Sequence, residues 1–464
     1  MTNHSIEGSR RVLLATLLAA ASCSDPSGET PTPPQTNAEA ETIAAEAGPS
    51  DEKEVEKPAK ERRRGRWVPL RAAAGGEAQD GSESNLGGLG YAGAYEEGGE
   101  FSGAIIRNAD RIAPGLTLVC SGHDTSVLLM DVKGEIVHHW HIDFDEVFPD
   151  PLPFKAQAFH SEFIRRAWPF PNGNLLAIFE YTGITLVDAK GKPIWSQANR
   201  SHHDFKILED GTIVTMDMEE WSQQHMREKY GAFHFHDGLI DSHLIFISPE
   251  GETLRKLSIF SAFYGSRYAV FLKTIRAPPA DLFHANSVDV LDAATASAFP
   301  QFEKGDILVS LRNSNAVVVI DNKTEKVKWL VHGLFSSQHQ ASFLPNGRIL
   351  LFDNAGGNES MPLVSDQSRV LEIDPKAQEV AWQFPRQNED LDFFSAMLGY
   401  VERLPGGNTL ITESMQGHLI EVAPDGEVVW EYYSPYRAGD NDELITTLMG
   451  ARRIPRATLP FLDE

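Results

Sequence analysis

Cysteine is nearly absent: the chain has two in 464 residues, Cys23 and Cys120. Cys23 closes an export-type segment, so Cys120 has no expected partner and no disulfide framework holds the domain. Cationic charge is also scarce, with 41 Lys and Arg against 66 Asp and Glu, a formal charge of −25. Nucleic acid is therefore not an expected partner, because its binding needs clustered cations. Tight adhesion to anionic membranes is disfavoured on the same ground. A small anion held in a local basic pocket stays open. No Gly-x-x-x-x-Gly-Lys-Ser loop occurs, so no nucleotide phosphate cradle is expected.

The apolar run from Val12 to Ala21 is too short to span a bilayer. Arg10 and Arg11 precede it, and Ala20, Ala21 and Ser22 supply small residues for cleavage. Residues 1–23 read as a signal peptide of lipoprotein type, and Ser9 to Leu14 weakly resembles a twin-arginine signal. Lipidation of Cys23 would anchor an exported protein at the periplasmic or outer surface. Residues 24–104 read as a disordered tether. Its first part is Pro, Thr, Ala, Glu and Lys with little to bury, and its second, Gly75 to Gly103, is Gly-rich. Residues 105–464 are the expected folded domain.

A pattern recurs in that domain. A strand meets a Pro-Asn-Gly or Asp-Gly turn, an apolar strand follows, then a strand ending in Asp, a Gly turn, and a last strand ending in Trp. Trp140, Trp195, Trp329, Trp382 and Trp430 close five copies, with Leu257 in the Trp place of another. Asp131, Asp188, Asp321, Asp374 and Asp425 precede the last turns. Four short strands per copy are one propeller blade, and the tryptophans read as packing between blades. Six blades are counted, near 115–143, 160–200, 202–260, 282–333, 338–385 and 398–435. The expectation is an all-β, six-bladed β-propeller. The first blade lacks a strand, and Thr447 to Ile454 resembles an inner strand without a blade. A C-terminal strand completing blade one would close the ring and remove two exposed edges.

Equivalent positions on inner strands all face the channel. His203 and His339 each stand eight residues before a turn glycine, Gly211 and Gly347, and His284 begins the inner strand between them. The same register places Arg165 in blade two and Gly399 in blade six. Three histidines from adjacent blades should meet at one mouth of the channel. Arg312 follows an apolar strand, Arg369 precedes the equivalent one in the next blade, and Asn354 lies between His339 and Arg369. Arginine beside imidazole is a natural cradle for a tetrahedral oxyanion. His202 is expected on the other strand face. His225, His234, His236 and His243 read as a His-rich loop without zinc-type spacing, so no metal centre is assigned.

Several of these segments together resemble the bacterial arylsulfate sulfotransferases. They are His202 to Phe205, His284 to Val288, Ser310 to Asn313, Gln338 to Gly347, Phe352 to Asn354 with Ser368 and Arg369, and Leu404 to Ile411. The resemblance covers about residues 105 to 460. It implies a six-bladed propeller that moves a sulfuryl group from an aryl sulfate ester to a phenol through a sulfohistidine, with no cofactor and no nucleotide sulfate donor. His284, His339 and Arg369 match three positions of that family's channel. The expected catalytic set is His339, His284, Arg369 and His203, with Arg312, Asn354 and Asn286 binding substrate. The family's covalent histidine comes late, where this chain has Gly399 by register; His418, the one histidine after Arg369, is expected away from the axis. His339 is therefore the favoured residue for the central chemical role. The alternatives are a non-catalytic propeller that binds a ligand or partner, and a metal held by His203, His284 and His339.

Overall fold

The computed structural model describes residues 94–97, 101–148, 151–154, 163–231, 238–275, 281–356, 365, 367–387, 389, 391–438 and 442–463. The signal segment, Cys23, the tether as far as residue 93, and His234 and His236 lie outside them.

Second and third strands of each copy are continuous apolar runs, which suits strands covered on both faces. Ile307–Leu311 and Leu175–Phe179 are buried at every position. Outer strands alternate instead: Ile136–His141 buries only Trp140. Each copy therefore folds as a twisted antiparallel sheet with a wet outer edge. Six such sheets form, and their inner strands touch one another in sequence all the way round. The inner strands of blades two to six are Ile164–Pro169, His202–Ile207, Ala285–Val290, His339–Phe343 and Tyr400–Arg403.

Blade one takes its inner strand from the C-terminus. Leu448–Ile454 pairs antiparallel with Leu116–Ser121, matching Ile454 with Leu116 and Gly450 with Cys120. The expected closure is present, and it removes two strand edges.

The recurrent tryptophans latch neighbouring blades. Trp140 Nε1 donates to Gly173 O at 2.8 Å, Trp195 to Pro249 O at 3.0 Å, Trp329 to Pro375 O at 2.9 Å, and Trp430 to Val132 O at 2.7 Å. The recurrent aspartates organise turns. Asp131 Oδ1 accepts from the backbone N–H of Lys133 and Glu135, and Asp188 Oδ1 from Lys190 and Lys192.

Two features depart from the sequence reading. Strands Ala94–Glu97 and Gly103–Ile106 lie in and at the edge of the stretch expected to be tether. Gly103–Ile106 adds a fifth strand to blade six by pairing with Val428–Tyr433, and Ala94–Glu97 pairs with Leu444–Thr446. Backbone pairing at an existing edge needs no apolar alternation, so composition did not announce these strands. The His-rich segment is also not simply a loop. His225 lies in the helix Gln223–Tyr230, and His243 lies within the strand Leu239–Ile247, surrounded by Asp217, Asp241 and Glu219.

Candidate active site

The site forms where inner strands begin. In blades one to five the first pair of the inner strand is followed by a register shift, for example between His202 and Phe205, Ala285 and Ser287, and His339 and Ser342. Such bulges re-aim side chains. The backbone turns left-handed at the same level, with φ of 62° at His203, 48° at His284 and 49° at Gln340. These conformations cost energy in residues other than glycine and concentrate at functional sites.

The His203 and His284 rings meet edge to face, with centroids 5.1 Å apart. His284 is gripped by Asp281: Oδ1 accepts its backbone N–H at 2.9 Å and Oδ2 lies 2.5 Å from Nδ1. His203 is gripped in the same manner by Glu180, whose Oε2 accepts its backbone N–H at 2.8 Å while Oε1 lies 3.2 Å from Nδ1. His202, expected on the opposite face, instead sets Nδ1 2.8 Å from His203 Nδ1. Burial, and then His284, bring His202 down to about 4. Burial also carries His203 well below its ordinary value, reinforced by His202, His284 and Arg165.

His339 has different support. Its Nδ1 lies 3.0 Å from Ser337 O and 2.8 Å from Asn354 Oδ1. The Asn354 amide cannot be reversed without loss, because Nδ2 donates to Ser395 O at 2.7 Å and Leu398 O at 2.8 Å. Two oxygen acceptors thus face Nδ1, so Nδ1 carries the hydrogen and Nε2 the lone pair. Nε2 is buried and, among the described residues, makes no hydrogen bond. Burial, then Arg312 and Arg165, hold the ring well below its ordinary pKa, so it is neutral near pH 7.

Two arginines therefore bear on the cluster, and they are not the expected pair. Arg165, found by register alone, is buried and donates to Met449 O at 2.7 Å. Arg312 donates from Nη1 to Asn313 Oδ1 at 3.0 Å, and among the described residues its Nε finds no hydrogen-bond partner. Arg369 does not join the histidines. It starts the third strand of blade five, where Nε bonds Asp353 Oδ2 at 2.9 Å and Nη2 bonds Leu334 O at 3.0 Å. A buried carboxylate one residue before Asn354 captures it, which motif matching cannot foresee.

Arg369 instead lines a pocket of about 810 Å³ with Phe271, His332, Phe335 and Asn315. The pocket is lined by the turn after the second strand of blade four, by the end of the second strand of blade five and by Ser336, three residues before His339; none of His203, His284, His339 or Arg312 lines it. Asn354, expected to bind substrate, has its amide fully used, Oδ1 on His339 and Nδ2 on Ser395 O and Leu398 O. Asn286 ties blade four to blade five through Nδ2 and Gln338 O at 2.8 Å, and its Oδ1 is buried without a hydrogen bond among the described residues.

Blade six supplies no imidazole. Gly399 has φ of 96°, and a Cβ there would lie 2.5 Å from Phe352 Cδ1, so packing leaves no room for a histidine. His418 starts the third strand of that blade, with Nδ1 2.9 Å from Glu413 Oε2, Nε2 3.3 Å from Glu431 Oε1, and its ring stacked on Tyr433. It is an ion-paired structural residue.

The next inner-strand layer fills the channel with polar groups. Arg166 lies 4.1 Å from the Tyr400 ring centroid, 3.3 Å from Asp204 Oδ1 and 3.4 Å from Gln340 Oε1. Arg452 packs over Trp168 and Tyr400. Among the described residues no three His, Cys, Asp or Glu side chains converge as metal ligands.

Sequence reasoning missed Glu180 and Asp281. Glu180 carried a readable signal: Glu180, Arg312 and Asn354 each stand at or just past the end of a second strand, opposite the start of an inner one. Asp281 precedes the strand register and carried none.

Fold and site define a six-bladed propeller whose channel mouth holds buried histidines beside arginine. The sequence profile of arylsulfotransferases (ASST) matches residues 170–435, more than half of the chain. The chain belongs to the arylsulfotransferase family. No curated protein matches it. Among solved structures, a protein of unknown function from Bacteroides caccae is 15% identical, covering 72% of this chain and 98% of that one, with a TM-score of 0.46. The WD40 propeller of Doa1 is 11% identical, covering 72% and 88%, with a TM-score of 0.38. The Neurospora crassa Pan2 WD40 domain is 10% identical, covering 74% and 89%, also at 0.38. These scores are too low to bear on fold or function.

Proposed function

We propose that the protein transfers a sulfuryl group from an aryl sulfate ester to a phenol, with His339 Nε2 as the covalent acceptor. The observation that carries this reading is the state of His339: a buried neutral imidazole whose Nδ1–H is fixed by two oxygens and whose Nε2 makes no hydrogen bond among the described residues. A lone pair so held is a ready nucleophile. Attack at sulfur spreads negative charge over three oxygens, much as in phosphoryl transfer, so nearby cations do most of the work. Arg312 and Arg165 supply them, and Asn286 offers a further polar contact. The aryl portion takes the apolar pocket beside Phe271 and Phe335, whose volume suits a small organic ligand. No cofactor enters the scheme. The protein acts outside the cytoplasm, anchored through a lipidated Cys23; an unmodified N-terminus elsewhere in the mature chain, found by mass spectrometry, would refute the anchor.

The test uses the purified protein with a chromogenic aryl sulfate and a phenol. Colour release that depends on phenol, with formation of the new aryl sulfate, is expected. Release that ignores phenol would indicate a hydrolase, and no release would reject the reading.

A further inference from the structure

The three channel-mouth histidines differ in what stands behind them. His339 has an amide and a carbonyl at Nδ1, and neither changes charge. His203 has Glu180, but that carboxylate also faces Arg165, its Oε2 lying 3.8 Å from Nε. His284 has Asp281 at both its ring and its backbone. The segment carrying this pair is clamped on several sides. Asn313 Nδ2 donates to Asp281 O at 2.8 Å, Arg312 N–H to His284 O at 3.1 Å, and Asn313 N–H to Phe283 O at 3.1 Å.

We propose that Asp281 is a positioning residue that makes His284 the proton carrier of the transfer, a role division that rests on the sulfuryl-transfer reading above. An ionised carboxylate only accepts, so Asp281 holds the Nδ1 hydrogen of His284 and leaves Nε2 as the exchanging nitrogen. Burial alone would raise the Asp281 carboxyl, but its interactions with His284 outweigh it and hold the group below the ordinary carboxylate value. The charged and titratable groups around His284 are His202 and His203 from blade three, Glu180 from blade two, His339 from blade five, and Arg312 from its own blade.

The step balances as follows. The His339 Nε2 lone pair forms the N–S bond, and the S–O bond to the aryl group breaks with its electron pair going to oxygen. His284, entering the step as an imidazolium with its Nδ1 hydrogen on Asp281 and a second proton on Nε2, passes the Nε2 proton to that oxygen, releasing a neutral phenol and leaving a neutral imidazole beside the carboxylate. The incoming phenol then returns a proton to His284 Nε2 while its oxygen bonds sulfur, and the N–S pair goes back to His339. Only the leaving of a weakly acidic phenol needs this proton; a nitrophenolate leaves without it.

That difference gives the experiment. Loading of the sulfuryl group onto the protein is measured in a single turnover without acceptor phenol, from phenyl sulfate and from 4-nitrophenyl sulfate, for the full chain and for Asp281→Asn, His284→Gln and the double variant. Asp281→Asn should slow the phenyl sulfate reaction about a hundredfold and the nitrophenyl reaction less than about threefold. His284→Gln should show the same selectivity, and the double variant should be no slower than His284→Gln alone, since the pair acts as one unit. A loss of equal size for both donors in either single variant would overturn the assignment, because misfolding or a merely structural role slows both alike. If Asp281→Asn fails to fold, the selectivity of His284→Gln decides. A wild-type chain that loads from neither donor would overturn both this inference and the function it rests on. Normal loading with non-selective variants would overturn this inference alone.

Discussion

Deleting Thr447 to Glu464 removes the inner strand of blade one, and the structure sets the expected cost. Leu448, Met449, Ile454 and Leu459 are each at most 2% exposed. At about 1.5–3 kcal/mol per fully buried large apolar side chain, their loss amounts to about 6–12 kcal/mol. That is comparable to the whole stability of a typical domain, about 5–15 kcal/mol. The deletion also strips Arg453 from Glu421, a fully buried carboxylate 2.7 Å away, and removes the Met449 carbonyl from Arg165. One bare edge results, on Leu116–Ser121, and the inner strands of blades two and six lose the strand packed between them. The truncated chain should lose its cooperative melt by circular dichroism and aggregate in light scattering. A shorter deletion, stopping after Pro455, removes Leu459 but keeps the closing strand, and should still melt cooperatively. If the longer deletion melted within a few degrees of the full chain, the closing strand would not be holding the ring, and the reasoning would fail.

Four further variants test these assignments. His339→Ala should cut transfer by at least about a hundredfold and lower stability by about 1–3 kcal/mol, because Asn354 Oδ1 loses its partner; full activity would move the chemistry to another residue. Arg312→Gln should lower kcat about a hundredfold to a thousandfold, while Arg369→Gln should mainly raise KM for the aryl sulfate, and equal kcat losses would show the two arginines misassigned. His418→Ala should leave transfer intact but destabilise the fold by about 1.5–3 kcal/mol. Burial lowers the His418 pKa, yet Glu413 and Glu431 together raise it above its ordinary value. A raised folded pKa stabilises fully below the unfolded value and less as pH climbs through the folded one. The melting difference between His418→Ala and the parent should therefore be largest near about pH 5–6.5 and shrink at higher pH, and a difference that grows with pH would contradict the ion pairs.

The blades were legible because their signals are local. Tryptophans at blade ends, aspartates before turns and apolar second strands repeat whatever the rest of the chain does, so the ring and even its C-terminal closure could be counted from residues. Register also placed His203, His284, His339, Arg165 and Gly399 at inner-strand starts. What register could not supply was the partner of each side chain. Arg369 occupies its expected strand but is captured by Asp353, and Asn354 turns its amide to His339 and the blade-six connection. His202 joins the cluster because a bulge breaks strict alternation just after it. Glu180 was readable from its place just past the second strand of blade two, whereas Asp281 grips a histidine three residues on but stands before the strand register begins.

The central claim is that His339 Nε2 takes the sulfuryl group, and the direct measurement is its capture. Incubating the protein with an aryl sulfate donor in the absence of phenol should accumulate one sulfuryl group per chain. Peptide mass spectrometry should place it on the segment carrying His339, and added phenol should discharge it. A modified peptide carrying His203, His284 or His418 instead, or rapid phenol-dependent turnover with no modified histidine at all, would contradict the account.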